Sequence, residues 1–248
     1  DTVIKLRISN LLNNTNNPEN YNQLFSLLVF FEGSLTMEIY EKCHFCMDML
    51  SLANKNIILK VSPIENTIHF YHEKIYQYLK REYNGLPMDI INSVYSFYEQ
   101  LENKSFVDNY FYIKILIAKG LSGDAITLGL SILDQYKNSS QSKYIIKICD
   151  LLQPIIDPRG KFQEYFQVIF LKADFLLERI NISEAEDLFE EAKALIVNKN
   201  TLFDSHVVLH FFHRYINQKL HSLQYQKAFD AIEELKTKVK ASASSSMI

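Results

Sequence analysis

The order of apolar and polar positions along the chain reads as helix almost everywhere, with one change of period. Residues 67–71 alternate: Ile68 and Phe70 take one side, His69 and Tyr71 the other, as in a half-buried strand. From His72 onward the spacing turns helical, with Ile75, Tyr78 and Leu79 as the apolar positions and Lys74, Gln77, Lys80 and Arg81 around the rest of the turn. A polar residue therefore stands at a strand-to-helix junction. Residues 57–61 predict a partner strand, joined to 67–71 by a turn containing Pro63 and Asn66. Ahead of this hairpin three helices are expected, at residues 21–31, 37–45 and 46–53, the first ended by Gly33 and the second capped by Ser34 or Thr36.

A short helix at residues 2–12 and an Asn-rich linker closed by Pro18 come first. Beyond Gly85 and Pro87 only helices are expected. They cover residues 88–102, 106–121 (ended by Gly120 and Gly123), 125–136 (capped by Asp124) and 142–152. Asp157-Pro158 opens a long helix to Arg179, and Ser183 to Glu186 reads as a capping box for residues 184–197. Asp204 or Ser205 starts the helix to Leu223, and residues 226–239 form the last. The Ala/Ser segment that follows is expected to be a disordered tail. The expected domains are a helix and linker at 1–19, a three-helix-plus-hairpin domain at 20–86, paired antiparallel helices at 87–240 and the tail at 241–248.

Composition narrows this little. Of 248 residues, 48% are hydrophobic and 22% charged, the mixture of a globular protein with a sizeable core. A net charge of −3 offers no global attraction to nucleic acid or anionic membranes. Three cysteines are too few for a disulfide scaffold and fit a reducing, cytoplasmic setting. No apolar run reaches the roughly 18 residues of a membrane span. The start at Asp1-Thr2-Val3, without Met, reads as a fragment boundary.

Two resemblances add to this. Glu184-Ala185 with Phe189 and Ala192 is matched by Lys227-Ala228 with Ile232 and Leu235, and more weakly by Asp124-Ala125 with Gly129 and Ile132. Together with Ala173 in a preceding helix, this resembles the tetratricopeptide pattern, although the spacing exceeds the usual period of about 34 residues and the Trp and terminal Pro are missing. Three helices and a hairpin have the layout of a winged helix. With Phe70-Tyr71-His72-Glu73 and Phe30-Phe31-Glu32-Gly33-Ser34-Leu35-Thr36, that layout resembles the winged-helix region of signal-transduction ATPases with numerous domains, the STAND class. There a nucleotide-binding domain precedes the winged helix and superhelical repeats follow it. The resemblance implies that His72 is a nucleotide-sensing residue, with Glu73 where Asp is usual. It implies ATP or ADP only in the full-length protein, since this chain has no G-x-x-x-x-G-K-[ST] loop and needs no cofactor of its own. On this reading the chain is a non-catalytic regulatory segment in signal transduction. Its expected partners are an upstream nucleotide-binding domain and a protein or peptide held on the repeat surface.

The rival reading is a transcriptional regulator, with the winged helix on DNA and the repeats sensing an effector. The third helix would read the groove, yet residues 46–53 contain no Lys or Arg to meet phosphates. Cys43-His44-Phe45-Cys46 has half-zinc-site spacing, but a second cysteine pair is missing and His69 or His72 would have to fold over to complete it. His206, His210 and His213 share a helix face without the H-E-x-x-H glutamate, so no metal is expected there. No nucleophile–base pattern marks an enzyme. The densest aromatic clusters supply the candidate protein-binding residues: Phe111 and Tyr112, then Phe211, Phe212 and Tyr215. Most rings there should be core, and any left on a concave face would serve as anchors.

Overall fold

The computed structural model describes residues 2–83, 85–136, 142–179, 181–198 and 203–245. It is mainly helical, with one small antiparallel sheet, and divides into two compact units, Asp1–Leu121 and Ser122–Ile248. Among the described residues no helix is long and apolar enough to cross a membrane.

The first unit begins with α1 (Thr2–Asn13) and α2 (Pro18–Phe30). Pro18 opens α2 because a first-turn residue needs no amide donor. Leu24, Phe25, Leu27 and Leu28 of α2 are fully buried, so its apolar run is the spine of this core. The helix stops at Glu32 and Gly33, both with positive φ (57° and 93°). The positive φ is what suits glycine at position 33, since a Cβ there would meet the Tyr76 ring only at an ordinary contact distance of 3.5 Å. Beyond it β1 (Ser34–Thr36) leads into α3 (Met37–Lys42), whose Ile39 amide donates to the Thr36 hydroxyl, the cap anticipated from the sequence. α4 (Met47–Lys55) follows, then β2 (Leu59–Ser62), β3 (Thr67–Phe70) and α5 (Glu73–Glu82).

The hairpin of β2 and β3 is present, and β1 is an addition to it: the sheet order is β1-β3-β2, antiparallel throughout. Leu35 pairs with Ile68, and Ile68 with Val61, while Ser34, His69 and Lys60 form the neighbouring row. The pleat therefore buries Leu35, Leu59, Ile68 and Phe70 beneath the sheet and puts Ser34, Lys60 and His69 on the other face.

The unit continues through α6 (Met88–Gln100) and α7 (Phe106–Ala118), beyond the boundary expected at residue 86. The reason is aromatic packing. Phe31 lies 4.7 Å from Phe111 and 6.5 Å from a stacked Tyr98, between ring centroids, and the Tyr110 hydroxyl donates to Glu32 at 2.6 Å. α7 starts on a reciprocal capping box between Ser105 and Asp108 that the sequence reading did not pick out.

The second unit contains α8 (Ser122–Tyr136), α9 (Ser142–Leu152), a single 3-10 turn (Gln153–Ile155), α10 (Phe162–Glu178), α11 (Ile182–Asn198), α12 (Ser205–His221) and α13 (Tyr225–Ser245). Each helix packs on its neighbour in sequence, most extensively α10 on α11 and α12 on α13. Ala173, Ala185, Ala192 and Ala228 are all buried, at the small positions read from the sequence, where a missing side chain lets two helices approach. Gly129 is the tightest such place: a Cβ there would stand 2.6 Å from Leu152 Cδ1 and 3.2 Å from its Cγ. Gly129→Ala is expected to destabilise this unit by about 1 kcal/mol, since overpacking of about 1–3 kcal/mol outweighs a helix-propensity gain of up to about 1 kcal/mol. Urea denaturation checks this.

Several expected boundaries differ. β2 begins at Leu59 rather than Ile57, which has a positive φ of 56°, and α3 ends at Lys42 rather than Phe45. Gly123 does not end α7 but lies in the first turn of α8, which starts two residues before the expected cap, Asp124. Asp157 closes a separate turn, accepting from the Arg159 and Gly160 amides, and α10 begins only at Phe162. The Ser183–Glu186 box is not used. Ser183 already lies inside α11, and Glu186 is drawn away to Lys219 and Gln224. The last helix continues past Val239 to Ser245, into the segment expected to be a disordered tail, whose final residues 246–248 lie outside those described.

Candidate functional site

The junction singled out in the sequence is the place where two clefts meet. Tyr71 still belongs to the strand geometry, its amide donating to the Ile58 carbonyl at 2.8 Å. His72 is extended (φ −146°, ψ 141°) and caps α5: its Nδ1 accepts from the Lys74 amide at 3.1 Å, and its carbonyl from the Ile75 amide at 2.9 Å. A ring nitrogen thus does what a Ser or Asp oxygen does at other helix starts. Glu73 does not join it. Its carboxylate accepts from the Gln77 amide nitrogen at 2.6 Å, one helical turn on.

On one side, an open cleft of about 650 Å³ lies over the polar row of the sheet. Glu32, Lys60, Glu65, His69, Glu73 and Tyr76 bring its titratable groups. Burial pushes the Tyr76 phenol up, and Glu32 and Glu73 add to the effect, so the hydroxyl remains a donor at neutral pH. His69 Nε2 stands 2.7 Å from the Thr67 hydroxyl and 3.4 Å from Glu65. Both partners converge on the same ring nitrogen. A nucleophilic relay needs a hydroxyl on one nitrogen and a carboxylate on the other, so the trio orders the sheet face without activating Thr67.

On the other side, a smaller cleft of about 320 Å³ lies between the first turns of α1 and α5. Val3, Ile4, Ile57 and Ile75 make it apolar, Tyr71 and His72 form one wall, and Arg7 and Lys74 are its two permanent cations. The sequence reading did not connect α1 with this junction. The apolar pair Val3-Ile4 in the first turn of α1 was the available signal.

The aromatic candidates lie elsewhere, and most are core. Phe211, Phe212 and Tyr215 are buried to within 2% and Phe111 to 9%, with Tyr112 half-buried. They are not surface anchors. Phe211 sits among Phe166, Phe170, Phe189 and Tyr215, and Phe111 against Phe31, because those rings fill the spaces between helices. Among the described residues, the exposed large apolar side chains of the second unit are instead Val197, Leu209, Leu220, Leu223, Tyr225, Phe229 and Ile232.

The metal candidates have differing surroundings. Cys43 is buried, its thiol pushed up to about 12 by burial, while Cys46 is exposed at the start of α4. His210 packs edge-on against Phe170, 5.4 Å between centroids. Burial lowers its pKa, against the pull of Asp174. His213 turns to Asn217, and the exposed His206 follows the Asp204 cap of α12. Among the described residues no group of three or more His, Cys, Asp or Glu is placed to hold a metal.

The sequence reading also missed Lys219. It is completely buried, with its ammonium 2.9 Å from Glu186 and 2.5 Å from Glu190, and 5.0 Å from the centroid of the Tyr215 ring. Its position one turn after Tyr215, on the apolar stripe of α12, was the signal.

Comparison of the chain with protein-family models, with curated proteins and with solved structures finds no match.

Proposed function

We propose that this chain is the non-catalytic regulatory segment of a STAND-type ATPase, a winged helix followed by tetratricopeptide-like repeats that recognise a protein partner. The observation that carries the reading is His72: an extended residue at the point where the hairpin hands over to α5, its ring nitrogen engaged in the cap. The order α2, β1, α3, α4, β2, β3 suits a winged helix, and the neighbour-on-neighbour packing of α8–α13 suits a repeat array. Partner recognition falls to exposed side chains. Tyr225, Phe229 and Ile232 share one face of α13 at i, i+4 and i+7, and Leu223 stands in the turn before it. The DNA-binding alternative gains nothing from α4, whose exposed residues Met47, Asp48, Ser51, Asn54 and Lys55 include a single cation, at the helix's C-terminal end.

The decisive experiment is to read the coding sequence upstream of Asp1. A phosphate-binding loop within roughly two to three hundred residues is expected, and an open reading frame without one overturns the proposal. In the full-length protein, His72→Asp keeps an N-cap acceptor, and His72→Ala removes it at a cost of about 0.5–1 kcal/mol. Both variants are expected to raise basal ATP turnover. A change that follows stability alone, appearing only in His72→Ala, would make His72 a cap and nothing more.

A further inference from the structure

The cleft between α1 and α5 has a feature that the regulatory reading does not use. α1 packs into its unit through Ile8 and Leu11, near its C-terminal end. Its first turn does not: Val3 is 64% exposed, and across the cleft Tyr71 is 50% and Ile57 39% exposed. Four aliphatic side chains and a tyrosine therefore surround a space of about 320 Å³, room for on the order of one or two large side chains. Among the described residues the charge around that space has one sign. Arg7 and Lys74 line it, no carboxylate does, and neither cation forms an ion pair among the described residues. Glu73, the nearest acid in sequence, lines the other cleft and bonds to Gln77. The amide end of the ten-residue α5 adds partial positive charge.

From this we infer that the α1–α5 cleft is a docking site for an acidic amphipathic helix of a protein partner. A large apolar side chain of that helix enters between Val3, Ile57 and Ile75, and carboxylates one turn to either side reach Arg7 and Lys74. The apolar lining selects a peptide over a phosphate, which needs several converging donors where this cleft offers two cations at its rim. The inference stands independently of the STAND reading.

Two displayed helical libraries test it, identical in their randomised apolar positions and differing only in Glu or Lys at the flanking positions. Panned on the 248-residue chain, the Glu library is expected to enrich and the Lys library not. Enriched peptides should lose about tenfold or more in affinity against the double variant Arg7→Glu/Lys74→Glu, and should weaken steeply with salt. The variant's thermal melt should stay close to that of the parent, since Lys74 is exposed and Arg7 half-buried. Enrichment of neither library, equal enrichment of both, or affinity indifferent to the charge reversal overturns the inference. Two further outcomes also do so by naming another occupant: self-association that the double variant disperses, or binding of anionic lipid vesicles that it abolishes.

Discussion

Replacing Phe211 by alanine is expected to cost the second unit about 3–5 kcal/mol, the range for deleting a fully buried aromatic side chain from a core that cannot collapse around the gap. Phe211 is 0% exposed. Its ring lies 5.5–5.9 Å from those of Phe166, Phe170, Phe212 and Tyr215, and 6.3 Å from Phe189, drawn from α10, α11 and α12. Three helices that contribute rings to one cluster cannot all move inward when the central ring is lost. The thermal transition of the second unit should fall by roughly 10–20 °C. Phe229→Ala, on exposed α13 surface, is the control and should change stability by less than about 0.5 kcal/mol. If Phe211→Ala proved as mild as Phe229→Ala, the ring cluster would not be the core of this unit.

The second large effect is expected at Lys219, and it is asymmetric. Removing both carboxylates by Glu186→Ala/Glu190→Ala leaves a fully buried ammonium with only the Tyr215 ring beside it, at an expected cost of about 3–5 kcal/mol. Lys219→Met keeps the apolar stem and removes the charge. The carboxylates it leaves behind are 23% and 43% exposed and can hydrate, so the expected cost is below about 2 kcal/mol. The same network gives a pH dependence. The Glu186 carboxyl is held below its ordinary range by hydrogen bonds from Lys219 and Gln224, against the effect of burial. For Glu190, burial is the largest single influence and acts upward, but the bonds from Lys219 and Tyr215 and the charges of Lys219 and Lys227 together outweigh it. Because both carboxyls titrate lower in the folded chain than in the unfolded one, their contribution is complete above the ordinary glutamate range. It is lost as pH falls through their depressed folded values. Urea melts from about pH 7 to about pH 3 should show this acid loss in the parent chain and much less of it in Lys219→Met. Equal acid sensitivity in both would place the titrating groups elsewhere.

Both effects arise from residues whose identity was plain in the sequence and whose surroundings were not. Local pattern was enough for the helices, for the β2–β3 hairpin, for the caps at Thr36 and Asp204, and for His72 at the head of α5, because each depends on residues within one turn or one strand pair of each other. The buried alanines followed from spacing for the same reason. The third strand did not. Ser34–Thr36 is three residues long, too short for alternation to register, and is a strand only because β3 offers it a partner more than thirty residues away in sequence. Periodicity reports how much of a helix is buried, but not what it is buried against. That is why the rings of Phe211, Phe212 and Tyr215 could be read as anchors when they are core. It is also why periodicity could not show that Glu186 and Glu190 of α11 go to a buried lysine of α12. The capping box at Ser183 failed for the same physical reason, since a carboxylate offered a buried ammonium outside its own turn bonds there in preference to a nearby amide. What the sequence determined by itself is local: which segments are helical and which residue stands at the junction. The tertiary structure alone decided which charges lose water, which rings lose exposure, and that the first turn of α1 meets the His72 junction around an apolar cleft, because those depend on the neighbours that distant segments bring.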